Sequence, residues 1–172
     1  MNTKAILVSW LLLVTLTLSA QTEKMQSAFV YNIISKYIEW PDSYKGGDFV
    51  IGVLGDSPII KEFKTLAKSR TIGSQNISVV KFNSVDEISK CHLIFISKSN
   101  LADLENVFAR IGNTIVVADG ATDNKKGITI NFVMVNNKQR YELKPNYAVS
   151  KGLKVSPEIA NMTAEKVYTA EN

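Results

Sequence analysis

From residue 23 onward the apolar positions follow two periods in turn. Between Glu23 and Trp40, Met25, Phe29, Ile33, Tyr37 and Trp40 recur at helical spacing, and Pro41 predicts the stop because its ring cannot continue a helix. Val50 to Leu54 is a short apolar run interrupted by Gly52 and followed by Gly55, which reads as a buried strand. Asp56 or Ser57 then caps a predicted helix that has Pro58 in its first turn and runs to about Lys68. Ile77 to Phe82 and Leu93 to Ile96 read as further strands. Asn100 is the expected cap of a helix from Leu101 to Ile111, which Gly112 ends, and Thr114 to Ala118 is another apolar strand. Ile128 to Val135, Asn136-Asn137 and Arg140 to Leu143 read together as a hairpin. Pro157, after a capping Ser156, opens a last helix reaching about Tyr168.

Strands that are apolar throughout and separated by helices imply a sheet covered on both faces. The expected fold is therefore α/β, a three-layer sandwich with a mixed, mostly parallel sheet flanked by helices. The hairpin supplies an antiparallel edge, and a sheet edge left open there would suit self-association. No repeat or linker divides the chain.

Before residue 21 the pattern changes. Lys4 precedes an uncharged apolar run from Ala5 to Leu18, and Leu18-Ser19-Ala20 offers small residues for a peptidase. This predicts a secretory signal over residues 1–20, cut after Ala20, with one domain over 21–172. The apolar run falls short of the about 20 residues a membrane-spanning helix needs. No cysteine follows it, so a lipid anchor at the cut is not expected.

Composition changes this picture little. Without residues 1–20 the chain keeps 19 basic residues against 16 acidic ones. They are scattered apart from Lys125-Lys126, so no nucleic-acid partner is expected. Cys91 is the only cysteine, which excludes an intramolecular disulfide and fits a small buried hydrophobe.

Candidate chemistry is sparse. Gly52 to Pro58 joins a strand to a helix, a position that favours anions, yet it matches neither a dinucleotide fingerprint nor a P-loop, and Asp56 would repel phosphate. Cys91 and His92 are adjacent on entering a strand, so their side chains point to opposite faces and cannot form a nucleophilic pair. His92 is the only histidine, and no zinc-type ligand spacing exists. Without a Gly-x-Ser-x-Gly elbow, hydrolysis is not expected either. We therefore predict no catalytic residues, metal site or cofactor. In the first helix Asn32, Lys36 and Glu39 fall at i, i+4 and i+7 on one stripe, where Lys36 and Glu39 can pair. A small-molecule pocket, the alternative function, would lie at the carboxyl ends of the strands near Gly55, Asp56, Ser97 and Asp119.

The segment Tyr31-Asn32-Ile33-Ile34-Ser35-Lys36-Tyr37-Ile38-Glu39-Trp40-Pro41 resembles the Tyr-Asn-(aromatic)-x-Lys-(aromatic)-x-Glu-Trp-Pro opening of the YfiR family of periplasmic proteins. Its spacing departs slightly, with both Ile34 and Ser35 between Ile33 and Lys36. Ile33 stands where many members carry phenylalanine. Ile51 to Asp56, Cys91 to Ser97, Ile130-Asn131-Phe132 and Gly152-Leu153-Lys154-Val155-Ser156 are similar to further family segments, in the same order.

The resemblance implies a non-enzymatic periplasmic regulator. Such a protein would bind and restrain the extracytoplasmic domain of an inner-membrane diguanylate cyclase or sensor kinase, and would act in cyclic-di-GMP signalling and biofilm control. It also implies a homodimer, and it makes Asn32, Lys36, Glu39 and Trp40 the expected partner-binding residues. The physical picture is a polar rim around an aromatic anchor, although Trp40 could equally be buried and fix the helix to the sheet. Some members carry disulfides that link the protein to redox state. With Cys91 alone, this chain has no such intramolecular switch.

Overall fold

Five apolar strands demand cover on both faces, and the chain provides it with helices of opposite placement. The computed structural model describes residues 21–122, 126–136, 138–161 and 168–169; the predicted secretory segment lies outside them. Helix α1 covers residues 21–37, followed by β1 (Ile38–Glu39), β2 (Phe49–Leu54), α2 (Ile59–Ala67), β3 (Thr71–Ile72), β4 (Gln75–Phe82) and β5 (Leu93–Ile96). Then come α3 (Leu104–Arg110), β6 (Ile115–Asp119), β7 (Ile130–Val135), β8 (Lys138–Leu143), α4 (Asn146–Ser150), β9 (Lys154–Val155), α5 (Pro157–Asn161) and β10 (Tyr168–Thr169).

The main sheet has the order β10-β8-β7-β6-β5-β2-β4-β3, and β1 and β9 form a separate two-stranded sheet. Its centre, β4-β2-β5-β6-β7, is parallel. Counted along the chain, those strands lie in the order 2-1-3-4-5, the doubly wound arrangement of flavodoxin-like sheets. β8, β10 and β3 add antiparallel edges. The α/β sandwich with a mixed, mostly parallel sheet thus forms as the apolar strands predict.

Side-chain alternation divides the core. Phe49, Ile51 and Val53 meet Val30 and Ile34 of α1 and Phe63 of α2 on one face. Leu54, Ile94 and Val116 meet Leu104 and Val107 of α3 on the other. Gly52 sits in the centre of β2 because a Cβ there would lie 2.6 Å from the ring of Phe82 and 3.5 Å from the Cys91 sulfur.

Several boundaries differ from the sequence reading. The first helix ends at residue 37, not Trp40, since a residue before proline is pushed towards extended backbone and Ile38–Glu39 pair with Val155 and Lys154. Its buried face is centred on Val30, Ile33 and Ile34, while Phe29 lies on the flank, 3.9 Å from the Tyr141 ring. No side chain caps α2, and Asp56 instead pairs with Lys81 at 2.5 Å. Asn100 does not cap a helix from Leu101: Lys98–Asp103 is a 3-10 segment, and α3 begins at Leu104. The Ser156 hydroxyl does accept the Glu158 N–H at 3.3 Å at the start of α5. However, Tyr168 is not helical, because Tyr168–Thr169 pair with Tyr141 and Arg140 of β8. Residues 162–167 of that expected helix lie outside the described residues. The same pairing covers Arg140 and Tyr141 of the hairpin edge that the sequence left open.

Candidate functional site

The two ends of the domain meet beside the C-terminus of α1. There the Tyr37 carbonyl accepts the Ser156 N–H at 2.8 Å, satisfying one of the orphan carbonyls of the helix end. The next two residues pair with β9. This small sheet and the β3–β4 turn face each other across a groove of about 530 Å³, lined among others by Lys36, Glu39, Trp40, Lys45, Gln75 and Lys154. Gln75 is buried and donates to the Tyr44 and Gly47 carbonyls at 3.0 and 3.1 Å, tying the intervening loop to the wall.

A second groove of about 790 Å³ runs between α1 and α2, past Lys24, Tyr31, Asn32, Lys36, Glu62 and Arg70. The Tyr31 hydroxyl donates to the Thr71 carbonyl at 3.2 Å, and the Arg70 guanidinium stands 5.9 Å above the Tyr31 ring. The two grooves meet at Ser35, Lys36 and Gly73. Among the charged residues of their walls cations outnumber carboxylates, with Lys24, Lys36, Lys45, Arg70 and Lys154 against Glu39 and Glu62.

Of the predicted partner-binding residues, Asn32, Lys36 and Glu39 are exposed along this surface, whereas Trp40 is buried. Lys36 and Glu39 do not pair, since Glu39 has left the helix. Lys45 donates to the Glu39 carboxylate at 3.0 Å and also reaches Asp42, while Lys154 lies 3.9 Å from Glu39. The Lys45 hydrogen bond and then the Lys154 charge hold the Glu39 carboxyl below its ordinary range. Trp40 is 5% exposed and packs edge-on against Phe49 at 4.9 Å. Among the described residues its buried indole N–H has no hydrogen-bond partner.

The strand-end residues lie elsewhere. Gly55 has φ +78, and a Cβ there would collide with the Asn100 amide oxygen. That oxygen accepts from the Ser97 hydroxyl at 2.9 Å and the Ser99 hydroxyl at 3.0 Å. Asn100 thus fills the space where the sheet order reverses between β2 and β5. Asp119 accepts from the buried Gln26 at 3.3 Å, and burial raises its pKa. Gly55, Asp56, Ser97 and Asp119 line neither groove.

Cys91 and His92 point into opposite cores, as strand alternation predicts. Burial pushes the Cys91 thiol up to about 11, which suppresses the thiolate. His92 stacks on Phe49 at 4.3 Å. Its Nδ1 accepts the Val50 N–H at 2.9 Å, so the ring proton sits on Nε2, which donates to the Tyr44 carbonyl at 2.7 Å. Both nitrogens are satisfied in the neutral ring, and burial lowers the pKa. Asn131 is structural too. Its side chain accepts the Ala121 N–H at 3.1 Å and donates to the Ala121 carbonyl at 2.9 Å, closing the turn after β6. Among the described residues no group of acidic, histidine or cysteine side chains could hold a metal ion.

The sequence reading did not place Lys24, Lys45, Arg70 and Lys154 with these grooves. They come from separate elements, and only tertiary packing brings them together. Lys154 alone carried a signal, since it stands in one of the segments similar to the YfiR family.

The model of the YfiR/HmsC-like family matches residues 23–163. No curated protein matches the chain. Among the described residues, no helix is long and apolar enough to cross a membrane.

Proposed function

We propose that this chain, which belongs to the YfiR/HmsC-like family, is a non-enzymatic periplasmic regulator that works by contact. It binds and restrains the extracytoplasmic domain of a membrane signalling protein, a diguanylate cyclase or a sensor kinase, and its contact surface is the joined groove beside α1. One observation carries the placement. Of the five segments similar to the family, those containing Cys91-His92 and Asn131 are spent on internal packing, whereas Tyr31–Pro41 and Gly152–Ser156 converge on an exposed wall.

Asn32, Lys36 and Glu39 supply the polar rim of that surface. Trp40 supports it from beneath, fixing β1 against Phe49. A homodimer is compatible with this use of one face.

Capture of the tagged protein from its native envelope after in-cell crosslinking tests the reading. Recovery of one inner-membrane cyclase or sensor kinase is the expected result. Recovery of no membrane protein, together with a gain in thermal stability from a metabolite panel, would instead favour a small-molecule-binding protein.

A further inference from the structure

We propose that the joined groove takes an extended acidic segment of the protein partner, with carboxylates alternating along a strand-like backbone. The inference rests on the contact-regulator reading and deepens it by naming the chemistry of what docks.

Charge carries it first. The walls hold five cations against two carboxylates, whereas residues 21–172 as a whole carry 19 basic and 16 acidic side chains. Lys45 and Lys154 are engaged with Glu39. Among the described residues, no carboxylate pairs with Lys24, Lys36 or Arg70. Three cations along one channel are thus available to a ligand of opposite sign, and such complementarity chiefly raises association rate and specificity.

Shape is the second argument. The surface is a trough between α1 and α2 that continues between β1–β9 and the β3–β4 turn. A chain can lie in a trough, while a flat lipid surface cannot follow one. β3 is the last strand on its side of the sheet, and Thr71 and Ile72 both stand in the wall of this trough.

The test uses a fluorescently labelled peptide of alternating glutamate and valine, titrated with the protein and read by anisotropy. Binding is expected to weaken about tenfold in the Lys36→Glu, Arg70→Glu double variant. It should also weaken when salt rises to about 1 M, where screening acts within about 3 Å. Lys138→Glu, an exposed change on the β7–β8 hairpin, should leave it intact. Both substituted groove residues are exposed, and matching thermal melts confirm folding.

Equal binding of a lysine–valine peptide, an unchanged double variant, or binding only to phosphatidylglycerol vesicles would overturn the inference. The outcomes separate it from the regulator reading. Partner capture that survives the double variant sinks the acidic segment alone, and peptide binding without any captured membrane protein sinks the regulator alone.

Discussion

His92 shows how a residue with catalytic chemistry becomes a structural one. Its ring is held neutral between an N–H that needs an acceptor and a carbonyl that needs a donor. Protonating Nδ1 would set two donors against each other. Because its folded pKa is depressed below 6.5, the stability it contributes is complete above about that pH and is lost as pH falls below it. Melting curves across this range should therefore fall more steeply for the native protein than for His92→Gln, and parallel curves would refute the assignment. Asp119 has the opposite sign. Burial raises its carboxyl above 3.8, so its contribution is present at low pH and lost as pH rises through the folded value. Asp119→Asn, which keeps an acceptor for Gln26, should raise the melting temperature at neutral pH; a lower one would contradict this account. Lone residues gave their chemistry away only partly. That Cys91 and His92 face apart follows from strand alternation, whereas Asn100 filling the strand-end turn at Gly55 depends on a contact across many residues.

At the scale of elements, the central strands were legible because an apolar run bounded by turn residues has few other uses. The short pieces were not. β1, β3, β9 and β10 each have two residues, too few for any period, and each exists because a partner strand fixes it. The first helix stops early for a similar reason, since Ile38 and Glu39 gain strand partners that a further helical turn would forgo. Asn131 is the clearest case of a side chain doing the work of an element. It pairs with both backbone groups of Ala121, which is 4% exposed. Asn131→Ala would leave two buried groups unsatisfied and should cost about 3 kcal/mol. In a domain of this size that corresponds to a fall in melting temperature of roughly 10 °C. An unchanged melting temperature would show that the clamp is dispensable.

Across the whole molecule, the doubly wound sheet would ordinarily direct attention to the carboxyl ends of its strands. Here Asn100 occupies the crossover between β2 and β5 and lines a groove beside α3, whereas the two joined grooves lie along α1, beside a sheet built from both ends of the domain. Asn32 and Lys36 were legible as part of that face from helical spacing, and Glu39, which left the helix for β1, only from the family segment. The basic companions Lys24, Lys45, Arg70 and Lys154 were not, because no local pattern relates residues that only the fold assembles. The central claim is that the protein regulates by contact through this face. Its most direct test places a photo-crosslinking amino acid at Asn32 on α1, or at Glu105 on the helix covering the opposite sheet face, both exposed, in the protein's native envelope. The account predicts a crosslink to one membrane signalling protein from position 32 and none from position 105. A crosslink from position 105 alone, or from neither, would contradict it.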